Sequence, residues 1–387
     1  VKIQLEAGSP VHGGYTLGRV DGRVILVDGA IPGETVEIEV DDSEKLWKGT
    51  VTQVVTPSPD RVEHVWDRAG GAELGYMKRS AQLEWKTAVI EDAISHLGGS
   101  LKAHLKDAGL NIRVREVGPG LGTRTRLDVD VDDEGRLAMH ERGSDALVPI
   151  DSMPLAAPAI NDILANQDAW AGTWKPGDRV RLIAPTGQGP VVAIDKDVYR
   201  APGEKTGSRV LERAAGYSWE VTASGFWQTH EKAPVTLLDA VLKGARIRPG
   251  DRVAEFYGGS GLFTLPISEK ARAIRMFEGS AGAVRDARRN APKAEIAQAA
   301  INPHLLATGS EGADVVIADP SRAGLGVKGA LALAASGAQA IALVSCDPAA
   351  MARDVSTMVE NGRSVMSLAA FDLFPHTIHT EIVTILS

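Results

Sequence analysis

The sequence has one cysteine in 387 residues, Cys346. A lone thiol excludes an intramolecular disulfide framework and any multi-thiolate metal site. No apolar run approaches the ~20 residues needed to span a bilayer. There is no excess of positive charge: 42 Lys and Arg stand against 50 Asp and Glu, a net charge of −8. Coating nucleic acid by bulk electrostatics is therefore excluded, although a local basic groove is not. The first residues, VKIQLEAGSP, lack the basic, apolar and small-residue succession of a secretory signal, so the expectation is a cytoplasmic protein. There are no internal repeats and no low-complexity tract.

Hydrophobic residues make up 44% of the chain and charged residues 24%, enough for a sizeable core. The length suits two or three domains. Residues 1–57 read as all-β: YTLGRV, GRVILVDG, ETVEIEV and WKGTVTQVV alternate and are separated by Gly, Asp and Pro turns. Strands at this spacing suggest a small barrel of the oligonucleotide-binding type, or a structural docking module of the same shape. Through Asp60 it carries five Lys and Arg against ten Asp and Glu, a net −5. TPSPDR at 56–61 reads as a linker.

Residues 75–215 read as a mixed α+β block. SAQLEWKTAVIEDAISHLGG is a helix ending at a Gly pair; TRTRLDVDVD and RLAMHERG form a hairpin across DDEG. From 216 to 387 helices and strands alternate, the pattern of a doubly wound parallel sheet. The fold class expected is α/β, with this C-terminal domain preceded by the central block and the N-terminal barrel.

EFYGGSGLFTLPIS at 255–268 reads as strand, glycine turn and helix start. Gly259 and Gly261 let the backbone approach a ligand, but the spacing is not G-x-G-x-x-G, so a dinucleotide cradle is not expected. Glu278 ends the next strand, 17 positions after Gly261, where an acid can accept ribose hydroxyls. This pairing fits an adenosyl ligand without a pyrophosphate, with S-adenosylmethionine the obvious candidate; a tight turn and a solvated Glu would look the same. Asp319 ends the strand of IADPSRAG, as a crevice residue or a capping Asp. Cys346 ends IALVSC; Asp347 suits an N-cap and Pro348 the first helical position. The nearby helix N-terminus should lower the thiol pKa. A small buried hydrophobe is the alternative reading of the cysteine. Glu381 opens the last strand, HTEIVTIL, while His376 and His379 are not spaced as metal ligands.

The stretches FWQTH, EFYGGSG, ADPSRAG, VSCDPAAMARD and FPHTIHTEIVTIL, in this order, resemble the RNA 5-methyluridine methyltransferase family over nearly the whole chain. The resemblance implies a class I methyltransferase domain at 216–387, an RNA-contacting central domain and a TRAM domain at the N-terminus. It implies that Cys346 is the nucleophile adding to carbon 6 of uracil and that Glu381 is the base removing the carbon-5 proton. It matches Gln228, Tyr257, Leu262, Glu278 and Asp319 to positions that contact S-adenosylmethionine, beside Gly259 and Gly261 of the turn.

The expected partner is RNA, ribosomal or transfer RNA with ribosomal RNA favoured, with no membrane and no obligate protein partner. A non-catalytic RNA-binding relative and a cytosine-C5 methyltransferase are the alternatives. Departures from the family pattern are Ser321 for a proline, His230 for an asparagine and Gly258 for a cysteine. The larger one concerns four cysteines that hold an iron–sulfur cluster in many members. Here the matching positions are Ala69, Ala72, Met153 and the neighbourhood of Glu63 and His64. No cluster is expected, and apolar packing is expected in its place.

Overall fold

The computed structural model describes residues 2–43 and 45–387; Val1 and Glu44, inside the 1–57 range, lie outside the described residues. The N-terminal strands Lys2–Glu6, Pro10–Val11, Tyr15–Val20, Arg23–Asp28, Thr35–Asp41 and Trp47–Thr56 form one six-stranded sheet. Its inward face shows why. In TVEIEVD, Val36, Ile38 and Val40 are buried and Glu37 and Glu39 are not, the period of two that a half-buried strand requires. The sheet curls around Leu5, Ile25, Val27, Val36 and Ile38. At Gly18 a Cβ would stand 2.7 Å from Leu5 Cδ2, so the glycine permits this close crossing.

The central sheet is antiparallel. Seven strands run in the spatial order Leu147–Pro149, Leu137–His140, Arg126–Val131, Arg179–Ile183, Val191–Ile194, Asp197–Ala201 and Glu204–Thr206. Leu127, Val129 and Val131 alternate into a core closed by Ile160, Ile163 and Leu164 of the helix Pro158–Ala165. Ala69, Ala72 and Met153 are buried in this core with Trp66 and Ile150, so three of the four cysteine positions of the resembled family are filled here by apolar side chains; the fourth falls at exposed Glu63 or half-buried His64.

The C-terminal sheet has eight strands, in the order Glu295–Gln298, Ala273–Glu278, Arg252–Phe256, Val315–Ala318, Ala340–Ser345, Glu381–Leu386, Val365–Asp372 and Val114–Glu116. The first five are parallel, and Glu381–Leu386 runs antiparallel between two of its neighbours. Alternate residues feed two cores. Val253, Ile317, Val344 and Val383 face one side; Ala254, Val316, Leu343 and Ile382 face the other. Both faces are covered, as a parallel sheet requires. The chain steps from Arg252–Phe256 to one side first and to the other later, so a crevice opens at the carboxyl ends of these strands.

Two segments from earlier in the chain join this sheet. The helix Arg79–Leu97 packs Ile90, Ala93 and Ile94 against Met351, Val355 and Met358 of the helix Pro348–Glu360. The strand Val114–Glu116 pairs in parallel with Val365–Asp372 as the sheet edge. The hairpin Arg209–Ala214 and Tyr217–Thr222 buries Trp219 and Val221 in the same C-terminal core. Within the range 75–215, then, the central sheet proper is bracketed by segments that serve the C-terminal layer. The reason is burial: the apolar stripe of 79–97 finds its partner across that layer, not beside its sequence neighbours.

Candidate active site

The glycine turn follows directly from the Arg252–Phe256 strand. Tyr257 adopts φ +63°, and Gly259 and Gly261 adopt φ +57° and +91°. Glycine is needed at Gly258 for another reason: a Cβ there would meet Met276 Cγ at 2.5 Å, so the cysteine found in the resembled family has no room. Beyond Gly259 a Cβ would meet nothing within 4 Å, which leaves open space over the turn.

Glu278 reaches back to this turn. Its Oε2 accepts the Gly259 N–H at 3.0 Å and its Oε1 the Ser280 N–H at 2.7 Å. Asp319 follows the strand Val315–Ala318, and its N–H donates to Phe256 O at 3.3 Å. Leu262 is buried in the core beneath, and Trp219 Nε1 donates to Gly261 O at 2.9 Å. Gln228 is buried on the incoming segment, two residues before buried His230. His230 Nδ1 accepts the Lys232 N–H at 3.1 Å, and burial pushes its pKa down to about 4, so it is neutral.

The strands Ala340–Ser345 and Glu381–Leu386 bring the thiol and the acid to one end of the sheet. Their antiparallel pairing ends at Ser345 with Ile382, which leaves Cys346 and Glu381 next to that last pair. Glu381 is also paired with Phe371 on its other side. The register is what joins two residues 35 positions apart.

Their electrostatics are unusual. Burial raises the Cys346 thiol to about 11, with Glu381 and then Asp319 adding to the effect and Arg322 opposing it. This reverses the sequence expectation of a lowered pKa. The helix N-terminus is present, but burial and two carboxyls outweigh it. Asp347 does cap that helix, its Oδ1 accepting the Ala350 N–H at 2.8 Å. Glu381 is itself pushed well above the usual carboxylate range by burial and by Asp319. Asp319 is raised by burial to about 7. Glu255, under the turn, is raised by burial to about 8; Thr264 Oγ1 donates to its Oε2 at 2.7 Å, while its Oε1 has no partner.

Around this cluster the chain is braced. Lys86, buried on the helix Arg79–Leu97, donates to Asp372 Oδ1 at 2.5 Å, Phe374 O at 2.9 Å and His379 O at 2.7 Å. Arg79 donates to the other Asp372 oxygen. His376, at φ +62°, is gripped by Gln82: its N–H donates to Gln82 Oε1 at 3.0 Å and its Nδ1 accepts from Gln82 Nε2 at 3.0 Å. His379 Nε2 lies 3.2 Å from Arg322 Nη2. Among the described residues no group of three or more His, Cys, Asp or Glu is placed to hold a metal ion. Sequence reading missed Lys86, and the available signal was a lysine set in the apolar stripe EWKTAVI.

These elements fit an adenosyl ligand: open space over a glycine turn, an acid at the second strand end, and an orphaned buried carboxyl oxygen beneath. No family model matches the chain. An RNA methyltransferase of Bifidobacterium longum, named as uncharacterized, is 32% identical over 417 aligned residues, covering 96% of this chain and 93% of the relative. One from Streptomyces coelicolor is 32% identical over 426, covering 100% and 92%. The 23S rRNA (uracil(1939)-C(5))-methyltransferase of Chromohalobacter salexigens is 28% identical over 413, covering 95% and 85%. The crystal structure of the Pyrococcus abyssi tRNA (uracil-54, C5)-methyltransferase with S-adenosyl-L-homocysteine superposes with a TM-score of 0.75 at 21% identity, covering 100% of both chains. That likeness shows a shared fold across the full length. With identity of this level along almost its entire length, the chain belongs to the RNA methyltransferase family that contains these uracil-C5 methyltransferases.

Proposed function

We propose that the protein transfers a methyl group from S-adenosylmethionine to carbon 5 of a uridine in RNA, through a covalent Cys346 adduct. The observation that carries this reading is the Ser345–Ile382 pairing, after which Cys346 and Glu381 stand at the same end of adjoining strands, close enough for Glu381 to raise the thiol's pKa. Uracil carbon 5 is a weak nucleophile, and addition of a thiolate to carbon 6 turns it into an enolate carbon. S-adenosylmethionine, when bound, supplies the electrophilic methyl group; carbon 5 would bond to that methyl as its bond to sulfur breaks, and S-adenosylhomocysteine would leave. Gly259, Gly261, Tyr257 and Leu262 would border it, Glu278 would take its ribose hydroxyls, and Gln228 and Asp319 would flank the reacting end. Glu381 then accepts the carbon-5 proton; the electrons of that C–H bond re-form the C5–C6 double bond and the S–C6 bond breaks, returning Cys346. The target base must leave its stack to reach the thiol.

The raised pKa values have a role here. A buried thiol among carboxyls stays protonated until substrate arrives, and a buried Glu381 is a stronger base once ionised than an exposed one. Ribosomal RNA is the favoured substrate class, supported by the activity for which the Chromohalobacter relative is named. In this reading residues 1–57 are a TRAM-like RNA-binding module, 75–215 a central RNA-contacting domain and 216–387 the transferase domain, working in the cytoplasm.

The test is direct. RNA from cells lacking the protein is incubated with purified enzyme and methyl-labelled S-adenosylmethionine, then digested to nucleosides. Label in 5-methyluridine is the expected result. Label in 5-methylcytidine, or none while S-adenosylmethionine still binds, would overturn the proposal.

A further inference from the structure

The N-terminal sheet reaches the active site through one side-chain pair. His12 lies in the turn between Pro10–Val11 and Tyr15–Val20, and its Nε2 is 2.7 Å from Asp347 Oδ2. Asp347 is the residue after Cys346. Its other oxygen, Oδ1, is the cap of the helix Pro348–Glu360. A single carboxylate is thus held from two sides, by the helix it caps and by a residue 335 positions away.

The turn that carries His12 is itself seated. Gly13 and Gly14 adopt φ +91° and +88°. Gly14 lies against Ile378, so closely that a Cβ would be 2.8 Å from its Cγ2. Ile31 of the same domain packs with Leu74, Tyr76, Met77 and Trp85. The Leu74 N–H donates to His376 O at 2.8 Å. The N-terminal domain therefore bears on the Cys346–Asp347 turn and on the 376–378 segment leading to Glu381.

We propose that His12 is a positioning residue for methyl transfer: by holding Asp347 it sets Cys346 at the head of its helix, so the N-terminal domain forms part of the active-site wall. The role rests on the reading of Cys346 as the nucleophile. Without His12, the Asp347 carboxylate loses one of its two tethers and is free to turn toward the sulfur, where a negative charge disfavours the thiolate. Small misplacement of a reacting atom is costly, although an exposed pair such as this one holds only modestly.

Two measurements on the full chain test it. The first is methyl transfer to total RNA from cells lacking the protein, over a range of RNA concentrations. His12→Ala should lower the saturating rate roughly threefold to tenfold, with the half-saturating RNA concentration within about twofold of the parent. His12→Gln, whose amide can donate to the same oxygen, should restore most of the rate. The second is alkylation by iodoacetamide of Cys346, the chain's one thiol, without RNA; it should slow in His12→Ala and recover in His12→Gln. A change in half-saturating RNA alone would make His12 an RNA contact and overturn the proposal. So would a His12→Gln variant as impaired as His12→Ala. Unchanged alkylation would refute the contact itself. Slowed alkylation with undiminished methyl transfer would instead overturn Cys346 as the nucleophile while upholding the contact.

Discussion

Two buried carboxylates leave adjoining strands of the C-terminal sheet and meet opposite fates. Asp372 ends Val365–Asp372, and Glu381 opens the strand paired with it. Burial pushes both pKa values up. At Asp372 the charges of Lys86 and Arg79 and their hydrogen bonds outweigh burial and hold the carboxyl below its usual range. At Glu381 the charged neighbour is another acid, Asp319, and the carboxyl goes well above its usual range. Asp372 is a brace, its oxygens spent on cations and its neighbours Phe374 and His379 tied to the same lysine. Glu381 carries a burial cost with no local compensation, which is what the base proposed above would require to gain and lose a proton. Identical chemistry in one sheet thus serves stability or reactivity according to whether a cation is buried with it.

The sharpest way to break this contrast is to remove the thiol on the reactive side. Cys346→Ala should lower methyl incorporation by ~10³-fold or more while leaving S-adenosylmethionine binding, read by calorimetry, near the parent value. Next in size is the acid itself. Glu381→Gln should slow turnover by ~10²- to 10⁴-fold and accumulate a covalent protein–RNA species on a denaturing gel, because the adduct forms but cannot shed its proton.

On the braced side the effect should be on folding first. Lys86→Met leaves Asp372 buried with only Arg79 and removes two carbonyl contacts; a loss of about 3–5 kcal/mol is expected in urea unfolding. Lys86→Met combined with Asp372→Asn should recover part of that loss, since the uncompensated charge is gone.

The pH dependence sharpens the same comparison. In the proposed mechanism Glu381 and the Cys346 thiol must both lose protons against a raised pKa, so methyl transfer should rise from pH 6 to pH 9. The smallest effect concerns stability. Burial raises the folded Glu255 carboxyl to about 8 from an ordinary value of 4.5, so the folded state binds more protons between these values. Stability should therefore fall as pH rises from about 5 toward 8, its contribution being lost as the group is forced to ionise. Glu255→Gln should flatten this slope in melting temperature measured from pH 5 to pH 8; an unchanged slope would assign it to other groups.

Much of this arrangement was legible in the residues. The alternation of TVEIEV, the glycines of EFYGGSG and the Asp-Pro after Cys346 are local signals, and each element lies where they place it. The ends of strands carry Glu278, Asp319 and Cys346 because a parallel sheet puts its crevice there. Other features had no local signal. Residues 79–116 read as central, yet their apolar stripe is satisfied across the C-terminal layer. The thiol's raised pKa escaped because it depends first on burial and then on two carboxyls brought in by other strands. His12 and Lys86 were missed for the same reason, since their partners lie 335 and 286 positions away.

The sequence by itself determined which elements form, which backbone positions need glycine, and which side chains stand at strand ends, because these depend on periodicity and on neighbours a few residues apart. Only the tertiary structure decided that Cys346 and Glu381 stand at neighbouring strand ends, that Asp372 is buried with cations while Glu381 is buried beside another acid, and that His12 holds Asp347. Register and burial settle those matters, and both are properties of segments that the chain brings together from far apart.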